Sequence, residues 1–144
     1  MADSVQDSIV VNADPDTVLD VVADFDSYPQ WQDEMLEGAV LETGPDGRGT
    51  KARFVIDAKV VRATLVLDYT YTPTSMSWTL VQSDKLRRND GSYVMEDLGD
   101  GRTRVTYALE VELAVPVPGM IRRQAAKRIV DGGLKGLKAR VESL

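Results

Sequence analysis

The 144-residue sequence has no cysteine and no histidine. Without cysteine there is no disulfide, no thiolate nucleophile and no thiolate metal site, and without histidine the commonest metal ligand and general base is missing as well. Carboxylates alone can hold calcium, but no Asp/Glu cluster here has the spacing of a calcium loop. No apolar run approaches the roughly 20 residues of a membrane-spanning helix. The opening stretch, Met1-Ala2-Asp3-Ser4-Val5-Gln6-Asp7, lacks the basic and then apolar start of a signal peptide. These absences lead us to expect a cytoplasmic protein with no cofactor and no metal. What is present is ordinary for a globular chain, with 43% hydrophobic and 28% charged residues. A single domain over 1–144 is expected, since a chain of about 150 residues buries about 70% of its unfolded surface.

The net charge of -6 is unevenly spread. From Pro118 onward there are seven basic and two acidic residues, against ten basic and 21 acidic in the remainder. The same stretch reads as one long amphipathic helix. Ala126, Val130, Leu134, Leu137, Val141 and Leu144 recur at steps of three or four, while Gln124, Lys127, Arg128, Asp131, Lys135, Lys138 and Glu142 occupy the opposite face. Pro116 and Pro118 prevent the helix from propagating backwards. Gly132, Gly133 and Gly136 cost roughly 1 kcal/mol each against alanine. They leave two readings open, close packing of helix backbone on a sheet or room for a ligand beneath it, the first being the ordinary reason. The basic face reads first as a solvated surface balancing an acidic body. Nucleic acid is not expected as a partner, because an acidic domain offers phosphates no extended electrostatic track.

Before that helix the chain alternates as strands do. Val5 to Val11 is a short first strand. Asp14 as N-cap with Pro15 at the first helical position starts a helix with Val18, Val21, Val22 and Phe25 on its apolar face. A second short helical turn follows at Ser27-Tyr28-Pro29 and presents Trp31. Met35 to Thr43 is the next strand, and Gly44 to Gly49 the turn after it. Thr50 to Val60 and Ala63 to Tyr71 alternate apolar against polar, with a break near Val61 and Arg62 that neither Gly nor Pro marks. Strands through Met76, Trp78 and Leu80, through Tyr93 and Met95, and through Val105 to Leu113 complete the set. The polar stretch Ser83 to Gly91 is read as a turn between two of them, and Gly99-Asp100-Gly101 as a hairpin. The fold class is therefore α+β: a seven-stranded curved antiparallel sheet wrapped around a long C-terminal helix, with two short helices between strands 1 and 2.

Asn12-Ala13-Asp14-Pro15 with Val18, Val21, Asp24-Phe25 and Tyr28-Pro29-Gln30-Trp31 resembles the opening of the polyketide cyclase/dehydrase and coenzyme Q-binding branch of the START-like (Bet v 1-like, SRPBCC) superfamily. Gly91-Ser92-Tyr93 followed by Gly101-Arg102-Thr103-Arg104-Val105-Thr106-Tyr107 is similar to its last hairpin. The resemblance covers essentially the whole chain. It implies a helix-grip fold with a cavity between helix and sheet, in a superfamily whose members bind lipids, quinones, sterols, polyketides or plant hormones, some with catalysis. No motif matches a catalytic set residue by residue, so no catalytic residue is carried over.

Strand parity puts one set of side chains on the concave face. The expected ligand-binding residues are Phe54, Ile56, Leu67, Tyr69, Trp78, Leu80, Tyr93, Met95, Tyr107 and Leu109, with Met120 and Ile121 near the mouth. Leu65, Tyr71 and Val105 share that face. Trp78, Tyr93 and Tyr107 combine apolar area with a polar tip that needs a partner if buried. Met35, Met76, Met95 and Met120 would make adaptable walls. Arg62, Gln82, Asp84 and Asp97 stand at strand ends, with a solvated rim as their ordinary reading. The leading functional expectation is a non-catalytic carrier or sensor of a small hydrophobic molecule, lipid, quinone or polyketide-like. A polyketide cyclase, aromatase or dehydrase is the alternative. A protein docking on a membrane or partner through the basic helix face is the third reading. Monomer and dimer both remain open.

Overall fold

A computed structural model describes residues 2–144; Met1, which opens the stretch read for a signal peptide, lies outside them. The chain runs β1 (Asp3–Val11), α1 (Pro15–Val22), a 3-10 helix (Phe25–Gln30), β2 (Met35–Thr43), β3 (Gly49–Asp57), β4 (Arg62–Thr72), β5 (Ser75–Ser83), β6 (Leu86–Gly99), β7 (Arg102–Leu113) and α2 (Gly119–Glu142). All seven strands form one antiparallel sheet in the order β1-β7-β6-β5-β4-β3-β2. The first strand therefore closes beside the last, and the corner made by α1 and the 3-10 helix carries the chain to the opposite edge. The sheet curls around α2 in the helix-grip arrangement.

Local chemistry accounts for the punctuation. Asp14 caps α1 by accepting from Thr17 N at 2.8 Å, with Pro15 at the first helical position. Tyr28 locks the corner, its hydroxyl donating to Val22 O at 2.5 Å. At the β6–β7 hairpin, Gly99, Asp100 and Gly101 all adopt positive φ (81°, 56° and 72°), which glycine accepts without strain and Asp tolerates.

Three boundaries differ from the sequence expectation. The strand expected to reach Val60 ends at Asp57, and the next residues turn with Lys59 at φ 74° before β4 begins at Arg62. The polar stretch after Ser83 is mostly strand: β6 starts at Leu86, its polar residues facing water on one side while Asn89 is buried on the other. Leu144 lies beyond the end of α2 and is 74% exposed, so it adds nothing to the apolar face.

The core is the sheet's concave face against α1, the 3-10 helix and α2. α2 lies chiefly over β1 and β7 and beside α1. Its buried stripe is Ala126, Val130, Gly133, Leu134, Leu137 and Val141. Lys138 and Glu142, expected on the free face, instead fasten the helix to the end of β1. Lys138 Nζ donates to Val10 O at 3.1 Å and to Glu142 Oε2 at 2.6 Å, and Asn12 N donates to the same carboxylate oxygen at 2.9 Å. Among the described residues no helix is long and apolar enough to cross a membrane.

Candidate functional site

Because α2 lies chiefly over β1 and β7, the side chains of β3, β4 and β5 are left largely to other partners. They meet one another and the aromatic residues of the corner. Tyr28 stacks on Phe54 with ring centroids 5.3 Å apart. The directly paired Tyr69 and Trp78 are 5.9 Å apart, and the directly paired Tyr93 and Tyr107 are 4.5 Å apart. Trp78 and Tyr93, 5.6 Å apart, join these pairs into one aromatic wall.

Between this wall and the N-terminal half of α2 lies a cavity in which about 70 Å³ is open to the centres of water-sized molecules. α2 contributes Arg122, Ala125, Ala126 and Ile129 to it. The two alanines leave the space that the longer Leu134, Leu137 and Val141 fill farther along the helix. Beneath it the indole of Trp78 lies over the backbone of Gly91, where an added Cβ would come within 2.3 Å of the ring. The indole Nε1 donates to Asn89 Oδ1 at 2.9 Å, so both groups are satisfied inside an apolar wall. The turn after β3 closes the other side with Ala58, Val60 and Val61.

Eight of the twelve residues expected from the sequence line the cavity: Phe54, Ile56, Leu67, Tyr69, Trp78, Tyr93, Tyr107 and Leu109. Four do not. Leu80 stands half-buried on the stretch of β5 beyond Trp78, where pairing with β6 has ended and just before the bulge that separates it from Gln82. Met95 is enclosed in the core at 2% exposure. Met120 and Ile121 point outward from the first turn of α2, 67% and 41% exposed. Of the other methionines, Met35 lines the cavity and Met76 is core. The strand-end candidates are elsewhere: Asp84 accepts from Thr64 N and Asp97 from Gly99 N, both at 2.9 Å, while Arg62 and Gln82 are exposed.

Sequence reasoning missed the polar members of the wall, Gln32, Asn89 and Arg122. Asn89 shares the parity of Gly91 and Tyr93, and Arg122 lies one helical turn before Ala126, so a positional signal existed for both. For Gln32 none did. Arg122 is held by Asp3, its Nε donating to Oδ2 at 2.5 Å, and by Val117 O, which accepts from its Nη1 at 3.2 Å. Arg122 and Leu113 also border an open groove along Val115 to Pro118.

Burial dominates the acid–base chemistry. It pushes the phenols of Tyr28, Tyr69 and Tyr93 well above their ordinary value, with further increments from neighbouring tyrosines, and Tyr107 is raised by burial and then by Glu34. Near neutral pH these groups are uncharged donors, unsuited to act as bases.

A family model described as "Polyketide cyclase / dehydrase and lipid transport" matches residues 2–142. The chain belongs to this family. A START superfamily protein from Mycobacterium smegmatis shares its fold with a TM-score of 0.88 and 26% identity over 97% of both chains. The Zhui aromatase/cyclase from Streptomyces sp. R1128 superposes with a TM-score of 0.81 at 16% identity, over 99% of this chain and 94% of its own. A STAR-related lipid transfer protein from Xanthomonas axonopodis gives 0.77 at 16% identity, over 96% of this chain and 85% of its own. No curated protein matches the sequence. Membership of this family agrees with the START-like resemblance of the Asn12–Trp31 and Gly91–Tyr107 motifs, and the family description spans both catalysis and transport.

Proposed function

We propose that the protein binds a small hydrophobic molecule between sheet and α2 without transforming it. The observation that carries this reading is a cavity walled by six aromatic side chains, Tyr28, Phe54, Tyr69, Trp78, Tyr93 and Tyr107, with few polar groups among them. Arg122 is the charged residue in the lining, and its guanidinium is already engaged by Asp3. A lipid, a quinone or a polyketide-like compound would all satisfy such a wall.

A cyclase or aromatase would occupy the same space, as the name of the Streptomyces relative suggests. It would have to work by holding a polyketone in a reactive shape, since the raised tyrosines offer no base near neutral pH. Native mass spectrometry of the purified protein, followed by organic extraction, tests the binding reading. A co-purifying hydrophobic compound is expected. A clean apoprotein that also fails to take up a panel of apolar probes would refute it. A changed product distribution on incubation with a poly-β-ketone would replace it with the cyclase reading.

A further inference from the structure

Gln32 joins the 3-10 helix to β2, and its backbone is fixed on both sides. Its N–H donates to Tyr28 O at 2.9 Å, and its carbonyl accepts from Met35 N at 3.1 Å. The residue lines the cavity at 5% exposure. There its Nε2 is buried with no hydrogen-bond partner among the described residues. A buried amide without an acceptor destabilises a fold, and a methionine of similar length would fill the space with no such penalty. Trp31 Nε1 is orphaned too, but Trp31 lies outside the cavity lining, packed under α2 where its carbonyl meets Gly136. Of the two orphans, then, only Gln32 can be reached by an occupant of the cavity. Tyr28, Trp78 and Arg122 are engaged, with Val22 O, Asn89 and Asp3, while the phenols of Tyr69, Tyr93 and Tyr107 bring further donors to the lining.

Resting on the binding function above, we propose that Gln32 is a polar recognition group of the cavity. It donates from Nε2 to an oxygen acceptor, a carbonyl or hydroxyl, on an otherwise apolar ligand lying against the aromatic wall. The cavity then selects oxygenated ring compounds over hydrocarbons of the same shape, because a hydrocarbon leaves the buried amide unpaired and an oxygen acceptor does not.

A matched pair of rigid probes, fluorenone and fluorene, separates the two contributions, since they differ by a carbonyl in place of a methylene. Competition against a fluorescent apolar probe gives both affinities for the native protein and for Gln32→Met and Gln32→Leu. The native protein is expected to favour fluorenone about tenfold, the scale of one well-made buried hydrogen bond. Both variants are expected to lose that preference, read as the ratio of the two affinities in each variant, and to melt no lower than the native protein, since the amide bonds nothing in the free fold. Equal binding of the two probes by the native protein would overturn the proposal. So would a preference that survives in the variants, or a marked fall in melting temperature in both. Binding of neither probe is a different failure, because it removes the cavity-binding function itself and this proposal with it.

Discussion

Gly132 and Gly136 are one helical turn apart in α2, yet a methyl group added to each meets a different surface. At Gly136 it would lie 2.0 Å from Trp31 O, a backbone atom that cannot withdraw without moving the corner. At Gly132 it would meet Glu34 Oε2 at 3.1 Å, the free end of a flexible side chain. Gly136→Ala is therefore expected to lose about 1–3 kcal/mol to overpacking. Gly132→Ala should be neutral or gain up to about 1 kcal/mol from helix propensity. Chemical denaturation of both variants checks this, and a destabilisation of equal size would be the adverse result. Gly136 thus answers to close packing, which sequence could offer only as one of two readings because the partner, a carbonyl 105 positions earlier in the chain, is invisible to periodicity. The aromatic wall was more legible, since strand alternation fixes which side chains share a face. The tyrosines carry a pH prediction. Tyr71 is pushed up to about 12 by burial, with Arg48 opposing, and the four fully buried phenols are raised as well. An acid whose folded pKa is raised contributes stability that is fully present below its unfolded value, about 10, and is lost as pH rises through the folded one. Stability should then fall above pH ~10, with tyrosinate absorbance appearing together with loss of circular dichroism. Ionisation near pH ~10 with a native spectrum would contradict it.

At the scale of elements, α2 is anchored differently at its two ends. The C-terminal half is held by apolar packing and by the contact of Lys138 and Glu142 with the end of β1. The N-terminal half rests on two alanines and on the Asp3–Arg122 pair, whose side chains are 7% and 20% exposed. Pro118 supplies no capping side chain. Asp3→Asn removes the ionic partner at similar size and is expected to cost about 1.5–3 kcal/mol, the worth of a hydrogen bond to a charged group. Amide exchange should quicken at residues 119–125 while 134–141 remain protected. Uniform loosening along the helix would show that the pair does not act locally. The helix itself could be read from its 3.6-residue period, and the anchoring could not, because Asp3 and Arg122 are at opposite ends of the chain. The strand expected to reach Val60 failed for a related reason. Its alternation continues through Ala58 and Val60, but the left-handed turn at Lys59 ends the pairing first.

The whole molecule poses a problem of size. Ligand pockets ordinarily span about 300–1,000 Å³, and about 70 Å³ is the space of a partly closed cavity. Occupation by a ring compound then requires a wall to move. The sheet cannot supply that motion cheaply where β3 pairs with β4 without a break and β6 pairs with β7 unbroken from Arg88 to Asp97. Nor can the C-terminal half of α2, whose Leu137 is fully buried. What remains is the turn at 58–61 and the first turns of α2, which face each other across the cavity. Both carry exposed apolar side chains, Val60 at 42% and Met120 and Ile121 at 67% and 41%. Val60, which lines the cavity, gains an apolar neighbour when a ligand lodges between the two segments, which offsets part of the cost of opening them. The expected outcome, on titration with a hydrophobic ligand, is that backbone amide chemical shifts change most at 58–61 and 119–126. The Gly99–Gly101 hairpin and residues 134–141 should stay nearly fixed. Largest changes at that hairpin would mean that ligands enter from the opposite end of the sheet, and the closed end described here would be a structural plug.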